Sequence, residues 1–153
     1  MLVRRMSEAP LVLLALAACT SVSSADFSRA IAANGCTQED IPGMEIFLSE
    51  TGTTNQQPDG KPYIRIEVAR ARAGIPIDVK LSALYPDAAQ PTLARATLHE
   101  GKGDWKWLSG SLKLSQAIPA GPVMGSYSFC APDQRCFSGS FSASWRPGMA
   151  RCG

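Results

Sequence analysis

The chain has 153 residues, of which 45% are hydrophobic and 18% are charged. Its 15 Lys and Arg residues nearly balance 13 Asp and Glu residues, and the formal net charge is +2. This balance gives no basic surface of the kind that binds nucleic acid or an anionic membrane. The length is that of a single domain, and no apolar run approaches the roughly 18 residues that a transmembrane helix needs.

The chain begins with a basic segment and a short apolar segment. Arg4 and Arg5 precede an apolar stretch over residues 9–18, which is too short to remain as a membrane-spanning helix. This stretch ends in the run Leu16-Ala17-Ala18-Cys19. The run resembles the lipobox of bacterial prolipoproteins, in which the cysteine thiol carries a diacylglycerol and becomes the new N-terminus after cleavage.

The resemblance implies a division of the chain and a location. Residues 1–18 would be a signal peptide, residues 19–25 a lipidated tether, and Cys19 the attachment to the membrane. Because Thr20 rather than Asp follows Cys19, the resemblance also implies retention in the outer membrane, facing the periplasm or the cell surface. The alternative is an ordinary signal cut after Ala25, which would release a soluble periplasmic or secreted protein. Both alternatives export the chain.

Four cysteines then remain for the folded domain, and an even number in an exported chain indicates two disulfides. Of the three possible pairings we expect Cys130–Cys136, across a turn containing Pro132-Asp133, and Cys36–Cys152. A zinc site built from all four is disfavoured because no CxxC pair is present and the compartment is oxidising. We predict no metal and no cofactor.

The first predicted element is a short helix over residues 26–34. Ser24 or Asp26 would cap it, apolar side chains such as Phe27 would line one face, and Gly35 would end it.

From residue 45 onward the pattern has a period of two residues, which is typical of β-strands. Seven strands separated by turns predict an all-β fold for residues 26–153, an antiparallel two-layer β-sandwich or a small barrel. Each sheet would have one buried face and one face in water. The predicted strands are Glu45–Ser49, Tyr63–Ala69, Ile75–Leu84, Leu93–His99, Trp105–Leu114 with a bend at Gly110, Gly125–Cys130 and Cys136–Trp145.

Three aromatic side chains are candidates for ligand binding. Trp105 and Trp107 lie two residues apart, so they point to the same side of a strand. Together with Tyr127 they would form a platform on which a sugar ring stacks. The alternative is that they fill the core, which we expect for Trp107 and Trp145. Trp105, next to the hairpin loop predicted at Gly101–Asp104, would be partly exposed.

The single histidine, His99, lies next to Glu100 and five residues before Asp104. It would act as a general base only if a nucleophile came within reach, and the G-x-S-x-G motif of serine hydrolases is absent. The alternative is a solvated turn residue.

The sequence therefore predicts an exported, lipid-anchored envelope protein with a non-catalytic binding or structural role. Its expected partners are the membrane, through Cys19, and an unidentified envelope protein or glycan. The alternatives are a carbohydrate-binding module that uses Trp105, Trp107 and Tyr127, and a hydrolase centred on His99. We recognise no named family in residues 26–153.

Overall fold

The computed structural model describes residues 27, 29–36, 42–50, 61–69, 76–82, 94–101, 103–117 and 121–146. These residues form nine β-strands and no helix. The strands are β1 (Arg29–Cys36), β2 (Pro42–Ser49), β3 (Tyr63–Ala69), β4 (Ile77–Leu81), β5 (Ala94–Gly101), β6 (Asp104–Trp107), β7 (Ser109–Ala117), β8 (Val123–Cys130) and β9 (Cys136–Arg146).

All nine strands belong to one curled, mixed sheet with the order β4-β7-β8-β9-β1-β2-β3-β5-β6. Neighbouring strands are antiparallel except β1 and β9, which run parallel with Ala30 opposite Ala143. Strands β6 and β7 are separated only by Leu108, whose amide donates a 3.0 Å hydrogen bond to the Ala96 carbonyl on β5. The chain thus passes directly from β6, at one end of the strand order, to β7, which neighbours β4 at the other end, and the sheet curls into a half-barrel.

The predicted all-β class is confirmed, but the two-layer antiparallel sandwich was wrong. A sandwich needs two separate sheets, whereas here β1 bridges β9 and β2 and so unites all the hairpins in one sheet. The curled sheet is closer to the small-barrel alternative.

The hydrophobic core lies inside the curl and follows the predicted period of two. Ile64, Ile66 and Val68 of β3 are fully buried, and Ile77 and Leu81 of β4 are also buried. Alternate residues of β7, β8 and β9 complete the core, because successive side chains of a strand point to opposite faces. The largest fully buried side chains are Phe27, Phe129, Ile46, Leu48, Ile64, Ile66, Leu98, Leu108, Leu112, Leu114, Val68 and Val123.

The predicted N-terminal helix over residues 26–34 was wrong, because Arg29–Cys36 is strand β1. This strand is hydrogen-bonded on both sides, to β2 along its whole length and to β9 over four residue pairs. Gly35, predicted to end the helix, lies within the ladder opposite Gly43. Pairing with β2, the next strand along the chain, and with the distant strand β9 has overridden the helix propensity of the alanines.

The structure shows the predicted Cys130–Cys136 disulfide in full, and Cys36 is also disulfide-bonded. Cys130 and Cys136 are directly opposite each other on β8 and β9, and their sulfur atoms are bonded. Cys152, the expected partner of Cys36, lies outside the described residues, so the second bridge stays a prediction.

The hairpin between β5 and β6 occurs where the sequence predicted it. Gly101 pairs with Asp104, and Gly103 has a positive φ of 82°, which glycine adopts without strain. The sequence predicted one strand, Trp105–Leu114, with a bend at Gly110. In the structure this segment forms two strands, β6 and β7, and the break between them is at Leu108. Gly110 itself has a φ of 138°.

One face of β2, β3 and β5 was expected to be in water and is not. We call it the outer face, and it carries Phe47, Tyr63, Arg65, Glu67, Arg95, Thr97 and His99. Tyr63 is only 8% exposed and Glu67 only 7%. This expectation was wrong because alternation shows which side chains share a face but does not show what lies against that face.

The predicted signal peptide, Cys19 and the alternative cut after Ala25 all lie outside the described residues. Within the part of the chain that is described, there is no helix that is long and apolar enough to span a membrane.

Candidate functional site

Strand β6 carries two tryptophans on one side of the sheet. Trp105 lies opposite His99 and Trp107 lies opposite Thr97, because the antiparallel pairing with β5 fixes the register. The Trp105 side chain is 45% exposed, whereas Trp107 is half-buried. Their ring centroids are 5.1 Å apart and the rings are nearly perpendicular, at 87°. The two rings therefore do not form a coplanar platform, and Trp105 presents its ring to solvent while Trp107 braces it.

The neighbouring outer face extends the aromatic surface. The rings of His99 and Tyr63 stack with centroids 4.4 Å apart and an interplanar angle of 4°. Nε2 of His99 shares a 3.0 Å hydrogen bond with the hydroxyl of Thr97. Burial, together with the positive charge of Arg65, lowers the pKa of His99 below its ordinary value. His99 is therefore a neutral ring at neutral pH.

Two arginines, Arg65 and Arg95, lie on the same outer face as these rings. Arg65 donates a hydrogen bond to Glu45 and forms an ion pair with Glu67 at 3.0 Å. Burial lowers the pKa of the Arg65 guanidinium, but the bond to Glu45 and the charge of Glu67 outweigh burial and raise it. The Arg95 guanidinium lies 6.0 Å from the ring centroid of Trp107, in a cation–π arrangement. These cations stabilise the outer face rather than forming a positive surface.

Beside Trp105, on the other side of the sheet, lies a group of four charged residues that we call the end cluster: Glu100, Lys106, Asp133 and Arg135. The Lys106 ammonium contacts Glu100 at 2.7 Å and Asp133 at 2.8 Å. Arg135 donates hydrogen bonds to both carboxylates, at 2.7 Å to Asp133. The end cluster thus joins the β5–β6 hairpin to the turn between β8 and β9.

The ion pairs of the end cluster hold both carboxylates in their charged form. Hydrogen bonds from Arg135 and Lys106 lower the pKa of Glu100 to about 2. The same two donors hold the pKa of Asp133 well below its usual range. Neither carboxylate is suited to accept a proton near neutral pH, because a general base works best with a pKa near the working pH.

The structure does not bring Tyr127 together with the tryptophans. Tyr127 is 6% exposed and belongs to the core, where its ring lies 5.3 Å from that of Phe129. Trp145 is half-buried and packs against the same core. Tyr63 and Arg95 were not among the candidate site residues predicted from the sequence. No sequence signal identified them, since their place beside Trp107 and His99 depends on strand order.

Within the part of the chain that the structure describes, His99 forms no hydrogen bond to a serine or a carboxylate. The His99 ring bonds to Thr97, whereas the Glu100 carboxylate accepts hydrogen bonds from Lys106 and Arg135. Among these residues, no three His, Cys, Asp or Glu side chains are grouped so as to hold a metal ion.

An open groove of about 550 Å³ lies on another part of the sheet. Its lining includes Ile77 and Asp78 of β4, Leu114 of β7, Met124 of β8 and Phe141 of β9, and it shares no residue with the tryptophan pair. The exposed ring of Trp105 is thus separate from this groove. No family model matches the chain, and no curated protein or solved structure matches it either.

Proposed function

We propose that this chain is an exported envelope protein, anchored by lipid at Cys19, with a non-catalytic binding or structural role. The lipobox-like run before Cys19 supports the anchor. The Cys130–Cys136 disulfide supports export, because such bonds persist in oxidising compartments and are rare in the cytosol.

The exposed ring of Trp105 is the observation that supports a binding role. A tryptophan that is 45% exposed leaves a large apolar area in water, and such rings are enriched where one molecule contacts another. Most polar side chains around it are engaged with each other in stacking, hydrogen bonds and ion pairs. This arrangement suits a rigid contact surface better than a catalytic centre, where a base must face a substrate.

The anchor is tested by expressing the full chain in a bacterium with a labelled fatty acid. Wild type should incorporate label, and Cys19→Ala should lose it and accumulate as precursor. The matched control is Ala25→Leu, which blocks the alternative cut and should leave labelling and processing intact. Unlabelled wild type whose processing is blocked by Ala25→Leu would contradict the anchor and leave an ordinary secreted protein.

A glycan ligand is the second candidate, and the same ring of Trp105 favours it, because sugar rings stack on exposed indoles. His99 and Thr97, on the adjacent strand, would supply polar contacts. Adding envelope glycans should then protect Trp105 from a soluble quencher such as acrylamide. The control variant Trp105→Phe should show no protection, and equal quenching of wild type with and without glycan would contradict this candidate.

A further inference from the structure

Strand β4 lies at one end of the strand order and is paired on one side only. Its five residues form an antiparallel ladder with β7, in which Val79 lies opposite Leu112. Within the part of the chain that the structure describes, no strand pairs with the other side of β4. The backbone N–H and C=O groups on that side can therefore pair with an added strand, which is a common mode of protein recognition.

The strand at the opposite end of the order, β6, is not open in the same way. Lys106 of β6 contacts Asp133 of the β8–β9 turn at 2.8 Å and Glu100 of β5 at 2.7 Å. The turn therefore lies beside β6, and carboxylates of the same chain already compensate the charge of its lysine. Of the two end strands, β4 is the one that offers a free edge.

The residues of β4 are arranged symmetrically about Val79, which is half-buried and packs against the core. Asp78 and Lys80 flank it, carry opposite charges and are exposed. Ile77 and Leu81 lie one residue farther out, and both are buried. An antiparallel copy of this strand, centred on Val79, places Asp78 of one copy opposite Lys80 of the other. The same register places Ile77 opposite Leu81, so the edge of β4 is complementary to itself.

The charges around β4 favour this antiparallel pairing. Asp78 contacts Lys113 of β7 at 3.3 Å, and its side chain is 67% exposed, so it remains accessible to a second cation. No carboxylate among the described residues forms an ion pair with Lys80. Asp78 of a second copy would supply that carboxylate. An in-register parallel pairing would instead place like charges opposite each other, which is destabilising.

We propose that β4 is a dimerisation edge, at which two copies of this chain join their sheets antiparallel about a two-fold axis through Val79. Each copy contributes the same five residues, so the interface is isologous and closes as a dimer. A strand of this length buries little area, which places the contact among weak and transient interfaces. The inference goes beyond the proposed function and depends neither on the anchor at Cys19 nor on Trp105.

The first experiment places a cysteine on the two-fold axis. In the purified full chain with Val79→Cys, the paired Cα atoms would be about 4.5–5.5 Å apart, within the range of a disulfide. A mild oxidant should therefore give a dimer on a non-reducing gel, and a thiol reductant should release it. Ser140→Cys is the matched control, because it places a cysteine at an exposed position of β9. Both this control and wild type should stay monomeric.

The second experiment tests the register with charge variants of Val79→Cys. Lys80→Glu places carboxylates opposite Asp78, and Asp78→Lys places ammonium groups opposite Lys80. Two attractive pairs thus become repulsive in each variant, and the initial rate of cross-linking should fall about tenfold. An equal mixture of the two variants should recover the rate, because every carboxylate then faces an ammonium group. The control Lys61→Glu changes the charge equally at an exposed residue before β3 and should leave the rate unchanged.

Three outcomes would overturn the proposal. Cross-linking of Val79→Cys no faster than that of Ser140→Cys would show that the edge of β4 does not join two copies. A rate that the charge variants do not change, or that their mixture does not recover, would contradict the antiparallel register. Recovery in the mixture also shows that both charge variants are folded. If oxidation in intact cells joined Val79→Cys to a different protein instead, the edge would belong to a partner's strand.

Discussion

Two regions of the same sheet use the alternation of strand side chains differently. In β7, β8 and β9 one face packs into the core and the other is largely in water, where its exposed positions include Ser128, Ser138, Ser140, Ser142 and Ser144. In β2, β3 and β5 both faces are largely buried, and the outer face carries Phe47, Tyr63 and Glu67 at 7–8% exposure. Periodicity alone therefore does not distinguish a wet face from a dry one.

The residue types on the two faces explain the difference. Serines are small and polar, and they lose little by remaining in water. Arg65 sits among Glu45 and Glu67, so its charge has partners where solvent is partly excluded. A buried charge is tolerated only with such partners. The dry face thus combines aromatic side chains with paired opposite charges.

The largest expected effect is the loss of unfolding free energy when a disulfide is removed. One disulfide is predicted in each region. Cys36 ends β1 beside β2, whereas Cys130–Cys136 closes a hairpin of the serine-rich region. Because loop-closure entropy grows with loop length, losing a Cys36–Cys152 bridge should cost about 5 kcal/mol, against about 2–2.5 for Cys130–Cys136. Peptide mapping of unreduced protein checks the pairing, and denaturant unfolding of the Ser variants checks the order. A free thiol at Cys152 would contradict the prediction.

The next largest effect is the loss of stability when a side chain of the dry face is removed. A side chain of the wet face serves for comparison. Phe47→Ala on β2 removes a ring that is 7% exposed and lies 6.2 Å from the ring of Tyr63. It should lower the free energy of unfolding by about 3–5 kcal/mol. The matched control, Ser140→Ala on β9, should change it by less than about 0.5. If urea unfolding showed equally small losses of unfolding free energy for both variants, the outer face would be in water in solution.

A third pair of variants compares ion pairs in the two regions. Arg65→Ala leaves Glu45 and Glu67 near each other on a poorly exposed face. Its side chain is 31% exposed, so we expect a loss of about 2–3 kcal/mol, somewhat below that for a fully buried pair. Lys113→Ala on β7 breaks a 3.3 Å pair with Asp78 in which both side chains are about two-thirds exposed. That loss should be at most about 0.5 kcal/mol. Comparable losses for both variants would contradict the difference between the faces.

The smallest effect concerns the end cluster, which joins the two regions. The pKa of Glu100 in the folded chain is about 2, below its ordinary value of 4.5. A lowered carboxylate pKa stabilises the fold above the ordinary value, and this stabilisation is lost as the pH falls from about 4.5 to about 2. Glu100→Gln should therefore cost about 1 kcal/mol at neutral pH, because the pair is only partly buried. The difference from wild type should vanish near pH 2, and a pH-independent difference would contradict the role of charge.

Much of the fold could be predicted because its signals are local. The predicted strand Tyr63–Ala69 coincides with β3, and the Cys130–Cys136 bridge follows from a turn between two short strands. Strand β1 could not be predicted in the same way. Its pairing with β9 joins residues more than a hundred positions apart, such as Ala30 and Ala143, and nothing in residues 26–34 encodes that contact.

The candidate site shows the same division. A spacing of two residues was enough to place Trp105 and Trp107 on one face, because strand geometry repeats every second residue. Their perpendicular rings, the stack of His99 on Tyr63 and the separation of Tyr127 depend on register and strand order. Register and strand order are defined only between paired strands, so the sequence of one strand does not determine them.

By itself, then, the sequence determined the strand periodicity, the β5–β6 and β8–β9 hairpins and one disulfide, since each depends on neighbours within a few residues. Only the tertiary structure decided that the sheet curls and that the outer face of β2, β3 and β5 is dry. Each of these depends on contacts between segments far apart in the chain. Their energies arise from burial and charge pairing that exist only once the strands have assembled.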